Sequence, residues 1–197
     1  ADDGARDDYF GASVAVDGEY AVVGAYLHND PEYNTSFGAA YIFKRSGETW
    51  SQQEKLIAID KDGNKDGASG DYFGCAVSIS GDYVLIGAYG DDDAGRDSGS
   101  AYVFKRSTTA WNFNQKLKAD TYGAPYDYVA KSVSIAGQYA VVSAEEDDEN
   151  GNHAGAAYLF KRGSGDQWNL SSKLTASDGA ANDLTGKAVG ASLNYVI

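Results

Sequence analysis

The chain has 197 residues, among them 24 Gly, 15 Tyr, 2 Pro, a single Cys and no Met. Twenty-nine acidic against 16 basic residues leave a formal net charge of -13; such a surface repels phosphate backbones and anionic lipid, which argues against nucleic-acid and membrane-surface roles, and it attracts divalent cations. No apolar run approaches the roughly 20 residues of a membrane helix, and one Cys excludes an internal disulfide framework.

In chain order, the first landmark is Tyr9-Phe10-Gly11-Ala12-Ser13-Val14. It returns as Tyr72-Phe73-Gly74-Cys75-Ala76-Val77, then as Tyr128-Val129-Ala130-Lys131-Ser132-Val133 and Leu184-Thr185-Gly186-Lys187-Ala188-Val189, at offsets of 63, 56 and 56 residues. A second landmark, Ala21-Val22-Val23-Gly24-Ala25-Tyr26, matches Val84-Leu85-Ile86-Gly87-Ala88-Tyr89 and Ala140-Val141-Val142-Ser143-Ala144-Glu145. A third, Ala40-Tyr41-Ile42-Phe43-Lys44-Arg45, matches Ala101-Tyr102-Val103-Phe104-Lys105-Arg106 and Ala157-Tyr158-Leu159-Phe160-Lys161-Arg162. Trp50, Trp111 and Trp168 each precede a Lys-Leu pair. One order of landmarks at a near-fixed period marks a repeat protein.

Each unit predicts four short strands. The first is small and β-branched, the second nearly continuous apolar as burial on both faces requires. The third sets Tyr and Phe on one side, and the fourth is amphipathic. Asp17-Gly18, Ser80-Gly81 and Ala136-Gly137 join the first two strands as tight hairpins. The chain is therefore an all-β β-propeller segment of four-stranded antiparallel blades, with units of about 1–57, 58–119 and 120–175 and a partial unit 176–197.

These residues resemble the FG-GAP repeats of integrin α-chain head propellers. Phe10-Gly11 and Phe73-Gly74 stand as the FG elements, Gly24-Ala25-Tyr26 and Gly87-Ala88-Tyr89 as near-GAP elements with Tyr in place of Pro. The resemblance implies an extracellular or cell-surface, calcium-associated propeller used in adhesion or ligand binding. Members that bind calcium between the first two strands carry a long Asp/Asn-rich loop there; the tight turns of this chain carry over no such ligands.

Calcium has two other candidate loops. Asp60, Asp62, Asn64 and Asp66 alternate oxygen donors ahead of Asp71, as a hard cation needs, although the Gly is misplaced for an EF-hand. Asp91, Asp93 and Asp97 form the second. The alternative for both is a solvated acidic loop. Asp8, Asp71, Asp127 and Asp183 recur once per unit and are expected to accept backbone N–H groups at a turn. His28 and His153 read as surface loop residues, and Cys75, at the position of Ala12, as a small buried one.

Asn34 and Asn169 head glycosylation sequons, with Asn169 expected to be the less accessible beside Trp168. The recurring Tyr41, Tyr102, Tyr158 and three Trp are expected in the core rather than on a sugar-stacking platform. No Gly-x-Ser-x-Gly or His-Glu-x-x-His is present, and Gly186-Lys187 lacks phosphate-loop spacing, so no enzyme is expected.

The last unit repeats the first after 175 residues: Ala1, Asp3, Gly4, Ala5 and Asp8 reappear as Ala176, Asp178, Gly179, Ala180 and Asp183. Val189, Tyr195, Val196 and Ile197 would bring apolar side chains to an unfinished blade, to be completed by another copy or by flanking repeats. A head-to-tail contact that does not close would build a fibre. A lectin-like propeller holding glycan or protein is the alternative function.

Overall fold

The computed structural model describes residues 1–30, 35–118, 124–193 and 195. Three sheets of four antiparallel strands follow one another along the chain. The first is β1 (Ser13–Asp17), β2 (Tyr20–Ala25), β5 (Ala39–Ser46) and β6 (Thr49–Leu56), with a two-stranded ribbon, β3 (Asn29–Asp30) and β4 (Thr35–Ser36), in its central loop. The second is β7 (Val77–Ser80), β8 (Tyr83–Ala88), β9 (Ser100–Arg106) and β10 (Trp111–Leu117), the third β11 (Val133–Ala136), β12 (Tyr139–Ala144), β13 (Ala156–Arg162) and β14 (Trp168–Leu174). Within each sheet, spatial order equals chain order, as in a propeller blade. Every Ala-Tyr-x-Phe segment lies in a third strand, and the only helical element described is the 3-10 turn Ser164–Asp166. No described helix is long and apolar enough to cross a membrane.

The local chemistry accounts for these elements. Gly18, Gly81 and Gly137 have φ of 58°, 57° and 59° at the first central position of the two-residue hairpins, a region that glycine enters without steric cost. All six residues of β8 are buried, the burial on both faces that its continuous apolar run predicts. The last two strands of each blade slip register by one residue, at Ile42/Phe43, Phe113/Gln115 and Leu159/Phe160. Such bulges sharpen the right-handed twist of a sheet.

Blades pack face to face. Between the first two, Val22, Ala40, Ile42 and Leu56 meet Phe73, Val77, Ile79, Ile86, Phe104 and Trp111. Between the second and third, Leu85, Val103 and Leu117 meet Val133, Ile135, Val142, Phe160 and Trp168. The backbones also touch. Phe73 donates its N–H to Phe37 O at 2.9 Å, Val129 to Ser98 O at 3.0 Å, and Thr185 to Ala154 O at 2.9 Å. Side chains stitch the first strands together: Ile135 N–H and Gly137 N–H donate to Ser78 Oγ and Ser80 Oγ at 3.0 and 3.1 Å.

The partial unit uses the same devices. Val189 N–H and Ala191 N–H donate to Ser132 Oγ and Ser134 Oγ at 3.1 and 3.0 Å. Ser192 and Tyr195 close a turn at the register of the earlier hairpins, Ser192 N–H donating to Tyr195 O at 2.7 Å. Val189 is half-buried, whereas Tyr195 is 75% exposed. Val196 and Ile197 lie outside the described residues.

Close backbone approach yields a test. A Cβ on Gly87 would sit 2.1 Å from Ala130 O, whereas one on Gly190 would meet nothing within 4 Å. Gly87→Ala is expected to destabilise the fold by roughly 1–3 kcal/mol in chemical denaturation and Gly190→Ala by less than about 0.5 kcal/mol. Equal effects would mean that the blades do not meet so closely.

Candidate functional site

The loops before each first strand and between the second and third strands share one face of the molecule, and there the charged residues converge. In the second blade, Lys116 on β10 places Nζ 2.8 Å from Asp66 Oδ2, 2.6 Å from Asp91 Oδ2 and 2.8 Å from Asp93 Oδ2. Tyr102 on β9 donates its hydroxyl to Asp66 Oδ2 at 2.9 Å and Asp91 Oδ2 at 2.8 Å. The ligand oxygens of Asp66, Asp91 and Asp93 lie within 4.8 Å of one another, a spacing that a hard cation accepts. Here the ammonium of Lys116 provides the positive charge.

Burial alone would lower the Lys116 pKa, but Asp91, Asp66 and Asp93 outweigh it and raise it. Removing one partner of such a buried pair typically costs about 3–5 kcal/mol, because the other charge is left uncompensated.

The device recurs. In the third blade Lys173 reaches Asp147 Oδ2 at 2.7 Å and also Glu149, and Tyr158 donates to Asp147 Oδ2 at 2.9 Å. In the first blade Lys55 bonds Asp3 Oδ2 at 2.7 Å, Tyr41 donates to Asp3 Oδ1 at 2.9 Å, and the position of Asp91 and Asp147 is taken by His28. A lysine and a tyrosine on the last two strands thus tie both loops in the first two blades and hold the loop between the second and third strands in the third. The expectation that Tyr41, Tyr102 and Tyr158 belong to the core holds, since each is at most 1% exposed.

The remaining candidate ligands part company. Asp60 Oδ1 accepts N–H from Asp62 at 2.9 Å and from Asn64 at 2.8 Å, and Asn64 Nδ2 donates to Asp60 Oδ2 at 3.1 Å, so this loop is closed on itself. Asp62 is exposed and paired with Lys61. Asp97, at φ 52°, accepts the Tyr128 N–H on its carbonyl at 3.1 Å and pairs with Arg96, and so joins two blades.

Asp71 belongs to the once-per-unit series. Asp8, Asp71, Asp127 and Asp183 each accept, on Oδ2, the N–H three residues earlier, from Ala5, Ala68, Ala124 and Ala180 at 2.7–2.9 Å, as a turn-closing Asp should.

Three expectations fail. Trp50 is 43% exposed rather than in the core, because the outer face of the first blade is uncovered, whereas Trp111 and Trp168 are buried against a neighbouring blade. His28 is not a surface residue but 1% exposed, because its imidazole replaces a clasp carboxylate. Asn169 is exposed while Trp168 is 2% exposed, because alternate residues of a strand face opposite sides. Asn34 lies outside the described residues. Cys75 is half-buried, its thiol pushed up to about 12 by burial.

The sequence reading missed an arc of tyrosines on the same face. Ring centroids run Tyr9–Tyr26 at 5.2 Å, Tyr26–Tyr72 at 6.0 Å, Tyr72–Tyr89 at 4.8 Å, Tyr89–Tyr128 at 6.0 Å and Tyr128–Tyr126 at 6.5 Å. Tyr9 and Tyr126, at its ends, are 55% and 47% exposed. A shallow cavity of about 270 Å³ opens among Ala12, Tyr26, Cys75, Tyr89 and Lys131. Lys131 lies over the rings of Tyr89 and Tyr128 at 5.5 and 5.0 Å and pairs with Glu145 at 2.5 Å. The signal was available: Tyr9 and Tyr72 precede the Phe-Gly pairs, Tyr26 and Tyr89 follow the Gly-Ala pairs, and Tyr128 stands at the place of Tyr9 in the third unit.

Comparison with known proteins agrees with the repeat pattern. The family model described as FG-GAP repeat matches residues 1–43, 50–104 and 111–160. No curated protein matches the chain.

Buried carboxylates make the site's stability depend on pH. Burial, opposed by the Ala68 N–H and reinforced by the charge of Asp91, lifts Asp71 to about 7; burial likewise lifts Asp127 to about 6. A folded-state pKa above the unfolded value favours the protonated form. That contribution is complete below about pH 4 and is lost as pH rises to 7 for Asp71 and 6 for Asp127. Asn retains the accepting oxygen and does not titrate. Between pH 4 and 7, the wild-type Tm is expected to fall relative to that of Asp71→Asn or Asp127→Asn, at about 2–4 °C per kcal/mol. A constant difference would show that neither carboxyl is shifted.

Proposed function

Since the chain belongs to the FG-GAP repeat family, we propose that it is an extracellular or cell-surface structural and adhesive module whose first blade docks onto a further blade of the same build, in a head-to-tail array. FG-GAP repeats occur in extracellular and surface proteins, and propellers of this family are generally non-enzymatic. One contrast carries the reading. Phe10, Val14, Val16 and Trp50 are 44%, 66%, 64% and 43% exposed in the first blade. Their counterparts Phe73, Val77, Ile79 and Trp111 are 0%, 9%, 7% and 3% exposed, and Val129, Val133, Ile135 and Trp168 no more than 8%.

The residues that cover those counterparts are the Val22, Ala40, Ile42 and Leu56 face of the preceding blade, so the chemistry that fits the open face is another such face. Burying each large side chain is worth about 1.5–3 kcal/mol. Contact between unlike faces gives a ring where the rotation closes and a filament where it does not. Light scattering of the full chain is expected to show mass rising with concentration, and Val14→Asp with Val16→Asp to abolish the rise while leaving the Tm within a few degrees. A monomer at every concentration that binds no separately added FG-GAP blade would defeat the proposal.

A second reading, ligand binding on the loop face, is favoured by the tyrosine arc. Tyrosine offers a rigid ring and a hydroxyl at low entropic cost, which suits glycan or protein partners. The candidate calcium loops belong to the same face, and calcium would act there by holding loops. Tyr9→Ala and Tyr126→Ala, both at exposed positions, are expected to weaken any glycan-array or peptide binding at least tenfold without changing the Tm. Binding that is indifferent to both changes would place the ligand elsewhere.

A further inference from the structure

We infer that the first blade carries an acid-sensitive latch, in which protonation of His28 displaces Lys55 from the clasp that Asp91 and Asp147 hold permanently in the other two blades.

The argument is one of donors and acceptors. His28 Nε2 lies 2.6 Å from Lys55 Nζ. An ammonium only donates hydrogen bonds, so Nε2 must present a lone pair. Nδ1 lies 2.9 Å from Asp8 Oδ2, and a carboxylate only accepts, so Nδ1 must carry the hydrogen. The clasp therefore requires the neutral imidazole in a single tautomer.

The groups that face this ring come from every element around it. Asp3 and Asp8 lie on the segment before β1, with Asp3 Oδ2 3.7 Å from Nε2. Tyr41 on β5 sets its hydroxyl 3.3 Å from Nδ1, and Lys55 comes from β6. The Lys55, Tyr41 and His28 contacts, against burial, hold Asp3 below the usual carboxylate range, and the Ala5 N–H and His28, against burial, do the same for Asp8. Lys55 and Tyr41 at Asp3, and the Ala5 N–H at Asp8, act whatever the state of the imidazole.

A proton on Nε2 removes the acceptor of Lys55 and sets two cations 2.6 Å apart in a pocket where the imidazole is only 2% exposed. At low effective dielectric such a contact is strongly repulsive. Two carboxylates are at hand for the imidazolium, Asp8 already bonded and Asp3 one small rotation away. Lys55, whose side chain is 27% exposed, has solvent to move into. The exchange is one cation for another: His28 takes the carboxylates, Lys55 leaves, and the tie between β6 and the segment carrying Asp3 is broken. Blades two and three have Asp at this position, whose carboxylate oxygens accept from the lysine. The device sits in the blade whose outer face is open, beside Tyr9 and Phe10, and it does not depend on the assembly reading.

The test is NMR of the full chain between pH 8 and 5, following the His28 ring nitrogens, the Lys55 Nζ resonance and the Asp3 carboxyl. The expected result is an Nδ1–H tautomer at pH 8 and conversion to imidazolium on acidification. The Lys55 and Asp3 signals should move with the same midpoint, while Lys116 and Lys173 do not. In Lys55→Met the repulsion is gone, so the imidazolium should form at a higher pH than in the wild type. In His28→Asp, which installs the residue of the other blades, Lys55 should no longer respond. An Nε2–H tautomer at pH 8, a Lys55 signal unmoved while His28 titrates, or an unchanged midpoint in Lys55→Met would each overturn the inference. The Lys55→Met arm keeps the test decisive if His28→Asp does not fold.

Discussion

The architecture rests on a backbone contact that tolerates no side chain. Gly38, Gly99 and Gly155 stand just before the third strand of their blades with φ of 89°, 78° and 77°. Each runs alongside the start of the next unit, at Phe73, Val129 and Thr185 respectively. A Cβ on any of them would fall 2.0–2.2 Å from a carbonyl oxygen of that neighbour. These glycines set how closely one blade follows another, and the interleaved apolar faces and the serine stitches between first strands depend on that spacing. Phe73-Gly74, a Phe-Gly element of the family, is the other half of the first contact, and Val129 and Thr185 hold its place in the next two.

With the backbones locked, loop charge must be managed locally. A chain of net charge -13 brings several carboxylates to one face, and the fold answers with a lysine at the same place in each blade, Lys55, Lys116 and Lys173, joined by Lys118 on Asp93 and Lys131 on Glu145. The three lysines end β6, β10 and β14 beside the buried Leu56, Leu117 or the partly exposed Leu174, so the strand that closes each blade also delivers its counter-charge. Each of these lysines is the last residue but one of its strand, which brings it to the end of the sheet where the loops lie.

Much of the fold was legible because the features that define a blade are short-range. A Gly at a hairpin, an apolar second strand and an aromatic third strand are written within a few residues, and repetition confirms each. The clasps were not, because Lys116 lies 50 residues from Asp66 and 25 from Asp91, and only the folded sheet order joins them. Alternating acids at Asp60, Asp62, Asn64 and Asp66 suggested a single loop site, yet Asp60 caps its own turn and Asp66 turns to Lys116. Exposure was illegible for another reason. Val14 and Val77 occupy the same place in the repeat, and only the presence of a neighbouring blade separates 66% from 9% exposure.

Sheet order that equals chain order has a consequence for biogenesis. No strand is lent from one blade to another among the described residues, so each sheet can form as soon as its own four strands have left the ribosome. The finishing contact is the exception, because Gly38 meets Phe73 only after the next unit has begun to emerge. Synthesis thus proceeds as a ratchet, each blade provisional until the opening residues of its successor seal it.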